Sequence, residues 1–392
     1  DLGTSWYRPT RICHLVSGGE FGWRGDAAKW PEYFEDSVAP VINVGPGSPT
    51  GVVFGDATNF PEPYRSALFA CDWTFGTIHA VHLQPEGATY RARFEELLGG
   101  NGLPVTDLVV GADGAIYFLV GGRRLGSALY RVLYDGSAPA ATDAIDRGTP
   151  VNELNVLRRR LESFHGKVDA TAVETAWSHL GHADRAIRFA ARLAIEAQPV
   201  SSWRQRVTSD DDVGRRIQVF LALARQEEQS RLVDVLRGLV AVDSQELTAD
   251  ETLVWLRALE LALARGGDDV REMRTDVVAQ LRPHLVHPDP RVRRELSRLL
   301  CYLKDTTVID PLLDMMAADE GERPTLGTGY FVRNAKYGEA VKDMLQSAPL
   351  IDRMHNAQML LWIDKGWTDQ QRQRYFQLLT DAASHSKGGY WY

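Results

Sequence analysis

The sequence predicts a two-part protein, with a β-rich N-terminal part followed by a longer helical part. Residues 1–140 are rich in Gly, Pro and aromatic residues and contain short alternating runs typical of β-strands. From about residue 150, apolar residues such as Val156, Leu161 and Phe164 recur at helical spacing. A chain of 392 residues is long enough for two or three domains. We therefore expect strands and helices in separate domains along the chain.

The candidate strands come in groups of three or four. The stretch ALFACDWTFGTIHAVHL at 67–83 indicates two strands around a turn, with Gly76 where a positive φ is needed. Asp113-Gly114 between two apolar runs indicates a second hairpin. Groups spaced by about 50 residues are typical of β-propeller blades, and about two to two and a half blades fit in residues 1–140. The other candidate strands are 11–16, 51–55, 88–97, 105–111, 115–121 and 127–136.

Residues 151–320 contain an internal repeat. HLGHADRAIRFAARLAI (179–195) is similar to HLVHPDPRVRRELSRLL (284–300): each has His-Leu-x-His, an Asp at a helix start and an apolar-Arg pair. The separation holds three units of about 35 residues, and 211–225 and 250–265 supply helices between them. Each Asp is a good N-cap. The pattern predicts an α-solenoid of HEAT-like repeats, joined to the incomplete propeller by a linker at 141–150.

Residues 321–392 form a C-terminal helical segment that begins with the Gly-rich stretch ERPTLGTGYF. We predict that Gly366 ends one of its helices and that Thr368 and Gln371 form the capping box of the next. Its helices are expected near 336–346, 350–364 and 369–383. The chain starts at Asp1 and ends at Tyr392 in sequence that is typical of a folded interior, so we expect a fragment, truncated at both ends.

The composition of the chain argues against some classes of function. The net charge of −8 and the lack of a basic block argue against nucleic acid as a partner. The run Arg158–Arg160 is typical of a solvated helix face. No apolar run reaches the length of about 18 residues that a membrane span needs. Of three cysteines, Cys13 and Cys71 either pair, if the protein is exported, or remain two buried thiols.

Two stretches carry a family resemblance. SPTGVVFGDATNFPEPYRSALFACDWTFGTIHAVHL (48–83) and VTDLVVGADGAIYFLVGGRRLGSALYRV (105–132) resemble the C-terminal blades of glucose/sorbosone dehydrogenase-like propellers. These are six-bladed enzymes that use pyrroloquinoline quinone. GGEFGWR (18–24) is similar to their Gly-Trp-Pro turn, with Arg24 in place of Pro. The chain also resembles planctomycete-type membrane-bound dehydrogenase and haem-binding multidomain proteins, in which HEAT repeats follow such a propeller.

The resemblance implies a fragment of an exported, dehydrogenase-like multidomain protein that oxidises sugars or alcohols. Its location would be periplasmic or extracytoplasmic, its catalytic part upstream of this chain, and a c-type cytochrome domain downstream. We expect the fragment alone to be inactive. The alternative is a non-enzymatic binding or scaffold module, in which the propeller binds a carbohydrate-like ligand and the HEAT repeats bind a protein partner.

The expected quinone-binding cations are missing. A quinone with several carboxylates needs fixed cations. Relatives carry a Lys at the hairpin tip, where this chain has DWTFG, and arginines before the next strand's Asp, where it has LPVTD (103–107). No cofactor is therefore evident in this chain, although the family makes pyrroloquinoline quinone possible.

Five residues are candidates for ligand binding. Arg123 and Arg124 follow a strand and a Gly pair, so they can bind an anionic group or pair with Asp72 or Asp107. Asp72 and Trp73 form the hairpin tip, where Trp73 either stacks on a sugar or flat cofactor or covers the neighbouring blade. Arg24 is the fifth candidate, from the turn at 18–24.

We predict no metal site. His79 and His82 are three residues apart on a strand and so point to opposite faces. The recurring pairs His179/His182 and His284/His287 are explained by the repeat. No catalytic residue can be named.

Overall fold

The computed structural model describes residues 9–22, 30–45, 47–136, 152–318, 333–334, 338–339 and 350–385. In these ranges every strand lies before residue 133 and every α-helix lies after residue 152. The prediction of a β part followed by an α part is confirmed. Arg24, the linker at 141–150 and most of the helix expected near 336–346 lie outside the described residues.

The β part consists of three antiparallel sheets in the described residues. The first pairs β1 with β2, the second has the order β3-β4-β5-β6, and the third has the order β7-β8-β9. Strand β1 is shorter than expected and ends at Ile12, before the apolar residues that follow it. The bounds are β1 Thr10–Ile12, β2 Ile42–Gly45, β3 Pro49–Phe54, β4 Leu68–Asp72, β5 Thr77–Glu86, β6 Thr89–Gly99, β7 Val105–Val110, β8 Ile116–Gly122 and β9 Leu125–Val132.

The two larger sheets pack around one apolar core. Within each strand, alternate residues share a face of the sheet. Phe69 and Ile78 of the second sheet thereby meet Leu108 and Phe118 of the third. Cys71 lies in the same core, and burial, with a smaller effect of nearby carboxylates, raises the pKa of its thiol to about 12. Cys13, Cys71 and Cys301 are free thiols. Of the two alternatives for the first two cysteines, the structure has the unpaired one.

The helical part is a row of helices, each of which packs on the next helix in the chain or on the next but one. Helix α4 contacts α5 and α6, α6 contacts α8, and α8 contacts α10. A single apolar core runs through these helices. The bounds are α1 Glu153–Glu162, α2 Ala172–Trp177, α3 Arg185–Glu196, α4 Val213–Gln226, α5 Leu232–Val240, α6 Ala249–Gly266, α7 Arg274–Leu281, α8 Pro290–Tyr302, α9 Ile309–Ala317, α10 Ile351–Leu360 and α11 Asp369–His385.

The sequence repeat is also a repeat of hydrogen bonds. In the first copy, the Asp184 backbone N–H donates to His182 Nδ1 (2.9 Å), and Arg188 Nη1 donates to the His182 carbonyl (2.8 Å). Asp184 caps α3 by accepting from the Ala186 N–H (2.8 Å). The same bonds recur in the second copy with His287, Asp289, Arg291 and Arg293. His182 and His287 therefore shape the turns before α3 and α8, as the repeat predicts.

The hairpin between β5 and β6 joins the β part to the helices. At its tip the Ala88 N–H donates to Asp184 Oδ2 (2.7 Å), and Asn152 Nδ2 donates to the Gly87 carbonyl (2.6 Å). Arg158 Nε donates to the Ala88 carbonyl (2.9 Å). Asn152 and Asp184 are the N-caps of α1 and α3, so the tip lies at the start of two helices. The expectation that Arg158 faces solvent is wrong, because it is buried in this contact.

The last helix begins as predicted, but the one before it ends earlier. The Thr368 N–H donates to Gln371 Oε1 (2.9 Å) and the Gln371 N–H to Thr368 Oγ1 (3.2 Å), which completes the capping box of α11. Helix α10 ends at Leu360 rather than at Gly366. Beyond Leu360 the chain tightens into turns, in which the N–H groups of Trp362 and Ile363 donate to carbonyls three residues back (3.0 and 3.1 Å), and Ile363 packs in the core. Gly366, at φ +84°, lies in the loop that follows.

Candidate functional site

Two turns of the β part form one corner, defined here as the Trp73 corner. The β4–β5 turn carries Trp73, and the β8–β9 turn carries Arg123 and Arg124. Trp73 Nε1 donates to the Gly121 carbonyl (2.8 Å), and the Arg123 guanidinium lies 5.2 Å from the centre of the Trp73 ring. The structure therefore brings together three of the candidates, two arginines and an indole held by hydrogen bonding.

The two arginines have an unusual backbone. Arg123 has φ +46° and Arg124 has φ +68°, between the paired residues Gly122 and Leu125. A two-residue hairpin with positive φ at both positions normally takes Asn or Gly, and a larger residue there costs about 1 kcal/mol. Strain of this kind is concentrated at functional sites and motivates a functional hypothesis.

Asp72 closes the β4–β5 turn from inside. Its carboxylate accepts hydrogen bonds from the backbone N–H groups of Ser48 (2.5 Å), Phe75 (2.7 Å) and Thr74 (3.3 Å). Burial raises the pKa of Asp72 to about 6, although these donors act in the opposite direction. A side chain on Gly47 would lie 2.3 Å from Asp72 Oδ1. Asp72 therefore shapes the turn that presents Trp73.

The two carboxylates that the sequence offered to the arginines have backbone partners instead. In the described part of the chain, Asp72 and Asp107 accept hydrogen bonds only from backbone N–H groups, the latter from Leu108 (2.8 Å). Arg124 is exposed at the tip of its turn. The corner therefore places an exposed cation near a partly exposed indole, which suits a ligand with an anionic group and a flat or apolar face.

The corner does not fit pyrroloquinoline quinone in the manner of the resembling enzymes. Their tip supplies a Lys, whereas this turn has the sequence Asp72-Trp73-Thr74-Phe75, with the Phe75 side chain in the core (2% exposed). Asp72, which takes part in the same turn, supplies no cation that could compensate the carboxylates of that cofactor. The residues of the corner therefore support no chemical step through the quinone, and Arg24 lies outside the described residues.

An apolar cavity lies beside the core of the β part. It has a volume of about 250 Å³ and is lined by residues that include Phe60, Tyr64, Ile116 and Tyr134. Such a lining can hold an apolar group but offers little polar recognition. We therefore regard the Trp73 corner as the better candidate for ligand binding.

A second polar cluster was not predicted from the sequence. Residues 30–37, called here the acidic segment, lie across four helices of the helical part. Asp36 forms a two-point ion pair with Arg257 of α6, with Nε–Oδ1 and Nη2–Oδ2 both at 2.9 Å, and Arg225 of α4 lies 3.2 Å from Oδ2. Asp36 and Arg257 are 2% and 4% exposed, so this ion pair is buried.

Glu35 lies next to that pair and binds α3 as well as α4. Its carboxylate accepts from Arg188 Nε of α3 (2.7 Å) and from Gln218 Nε2 of α4 (2.9 Å). We call the set of arginines on the helices that form hydrogen bonds with the acidic segment the arginine row. Its members are Arg185, Arg188 and Arg192 of α3, Arg225 of α4 and Arg257 of α6.

The spacing of arginines in α3 could have indicated the basic side of this cluster from the sequence. Arg185, Arg188 and Arg192 are spaced by three and four residues, so they lie on one face of α3. The partner is about 150 residues away along the chain, and periodicity carries no information over that distance. The acidic segment itself, WPEYFEDS, matches no strand or helix pattern.

Comparison with family models, curated proteins and solved structures finds no match to this chain. Within the described ranges, no three His, Cys, Asp or Glu side chains are grouped so that they could hold a metal ion. In the same ranges, no helix combines the length and the apolar character that crossing a membrane requires.

Proposed function

We propose that this chain is a binding and scaffold module, in which an incomplete propeller binds a carbohydrate-like ligand and HEAT-like repeats carry it. Two consecutive antiparallel sheets support the propeller part of this proposal. Their first strands, β3 and β7, lie side by side, and Thr50 Oγ1 of β3 donates to the Val105 carbonyl of β7 (2.9 Å). The repeat part is supported by helices that pack on the next helix or the next but one in the chain, and by the recurring bonds at His182 and His287.

The Trp73 corner is the proposed ligand site, and the strained arginine pair is the observation that carries it. Asn or Gly would form this turn with less strain, so Arg123 and Arg124 stand there at a cost to stability. We propose a ligand with a sugar-like ring against Trp73 and an anionic group at the arginines. A sugar acid is the simplest molecule with both features.

Calorimetric titration of the chain with glucuronate, with glucose as the neutral comparison, tests this site. We expect glucuronate to bind more tightly than glucose. Trp73→Ala, which removes the stacking surface, and the double change Arg123→Asn/Arg124→Asn, which removes the charges, should each weaken glucuronate binding at least about tenfold, or about 1.4 kcal/mol.

Arg91→Asn is the matched control for that titration. It also removes an exposed cation from the β part. Arg91 pairs with Gln84 close to the tip of the β5–β6 hairpin, at the end of β5 that is away from Trp73. An equal loss in the control, or the absence of glucuronate binding to the unchanged chain, would refute the proposed site.

A second candidate function rests on the similarity of 48–83 and 105–132 to glucose/sorbosone dehydrogenase-like propellers. On this proposal, the chain is the non-catalytic part of an exported, dehydrogenase-like protein that also contains a c-type cytochrome domain. The test adds pyrroloquinoline quinone, Ca²⁺ and a sugar and follows reduction of a dye. We expect reduction by a longer protein that includes the upstream blades and none by this chain. Turnover by residues 1–392 alone would contradict this division.

A further inference from the structure

The acidic segment is bound to the helices as a peptide ligand would be. It forms no strand or helix. Arg185 donates to the carbonyls of Glu32 (2.7 Å) and Ser37 (2.9 Å), and Arg192 donates to the carbonyl of Glu35 (3.1 Å). These arginines donate to backbone carbonyls of the segment, so these hydrogen bonds do not depend on the side chains of the segment.

The side chains of the segment are recognised separately. The Arg257 guanidinium lies 4.5 Å from the centre of the Trp30 ring and 4.3 Å from that of Phe34. Tyr33 donates its hydroxyl to Glu295 Oε1 of α8 (2.6 Å). Together with the carboxylates of Glu35 and Asp36, these contacts select aromatic residues followed by two acidic residues.

We propose that the arginine row is a docking groove for an aromatic and acidic segment of a partner protein, and that residues 30–37 occupy this groove in cis. This proposal deepens the scaffold part of the proposed function, because it names the surface and the chemistry of its partner. A segment tethered in cis has an effective concentration in the millimolar range, so it competes with any partner for the groove. Partner binding then releases the segment from the helices.

The test uses a fluorescent peptide with the sequence WPEYFEDS, followed by anisotropy. In the variant Glu35→Lys/Asp36→Lys, the cis segment carries two positive charges into the arginine row and is expelled. We expect this variant to bind the peptide at least 100-fold more tightly than the unchanged chain does. The peptide WPQYFQNS, which lacks the carboxylates, should bind neither protein. Addition of Arg257→Ala to the variant should abolish the binding of WPEYFEDS.

If circular dichroism shows that the variant does not fold, the proposal is tested instead on the unchanged chain by amide hydrogen exchange. We expect millimolar WPEYFEDS to accelerate exchange of the amides in residues 30–37, and WPQYFQNS to leave it unchanged. A folded variant that does not bind the peptide, or exchange that the peptide does not alter, overturns the proposal. Trp73→Ala should keep peptide binding, so failure at the Trp73 corner and failure at the groove are distinguishable.

Discussion

Replacement of Asp36 by Asn removes the charge at the centre of the contact between the acidic segment and the helices. The substitution keeps the size of the side chain and leaves Arg257 buried without its two-point partner. Removal of one member of a buried ion pair costs about 3–5 kcal/mol, because the other charge has lost its water as well as its partner. We expect the lower end of this range here, because Arg257 keeps its ion pair with Glu260 Oε2 (2.8 Å). This is a large part of the roughly 5–15 kcal/mol by which domains are commonly stable.

The dependence on pH provides an internal check. Burial acts to raise the pKa of Asp36, but the charge of Arg257, its hydrogen bonds and the nearby Arg192 and Arg225 outweigh it, so the pKa lies below the ordinary value. A carboxyl group with a depressed folded-state pKa stabilises the fold above its unfolded value of about 3.9 and loses this effect as the pH falls through the folded-state pKa. The difference between the two proteins should therefore be full at pH 7 and shrink below about pH 4.

Urea unfolding followed by circular dichroism measures both effects. The matched control is Asp234→Asn, because Asp234 also pairs with an arginine, Arg237 (3.1 Å), but both side chains are more than half exposed. An exposed pair contributes less than about 1 kcal/mol. A loss for Asp36→Asn no larger than that of the control, or a loss that persists undiminished at about pH 3, would refute the account of a buried, stabilising ion pair.

Three further predictions address other parts of the molecule. Arg124→Asn should raise stability by roughly 0.5–1 kcal/mol, because Asn tolerates φ +68° better; a lower melting temperature would contradict the strain argument. Gly87→Ala should destabilise the chain more than Gly102→Ala in urea unfolding. Both have positive φ, but a Cβ on Gly87 would lie 1.9 Å from Asp184 Oδ2 and one on Gly102 meets nothing within 4 Å; equal losses would refute the hairpin contact. Burial lowers the pKa of His355 to about 4, so stability should fall as the pH drops from about 6.5 to about 4, and His355→Gln should remove this part of the fall; an unchanged difference between pH 7 and pH 5 would contradict it.

The sequence predicted local structure well where one residue type decides it. Strands β4 and β5 begin within the hairpin expected at 67–83, and Gly76 has the positive φ that its turn requires. Asp184 and Asp289 cap the helices that the repeat indicated. These features depend on residues close together in the chain, so periodicity and capping chemistry were sufficient.

The sequence did not predict contacts between distant residues. Arg158 was expected in solvent but is buried against Ala88. The prediction failed because the sequence pattern of an arginine-bearing helix face is the same whether water or a distant backbone carbonyl contacts it. The acidic segment was missed for the same reason. In the Trp73 corner, the turn residues were singled out from the sequence, but the positive φ of both arginines was not foreseen, since that backbone follows from the pairing of Gly122 with Leu125.

Two of the contacts between the β part and the helices differ in chemistry. The hairpin tip binds through backbone groups of Gly87 and Ala88, whereas the acidic segment depends on the carboxylates of Glu35 and Asp36. A change of charge in the segment therefore leaves the donors and acceptors of the tip in place. The docking proposal requires this separation, because the acidic segment can leave the arginine row only if another contact keeps the β part on the helices. Gly87→Ala combined with Glu35→Lys/Asp36→Lys should accordingly destabilise the chain more than the sum of the two changes, since the contacts would then be lost together.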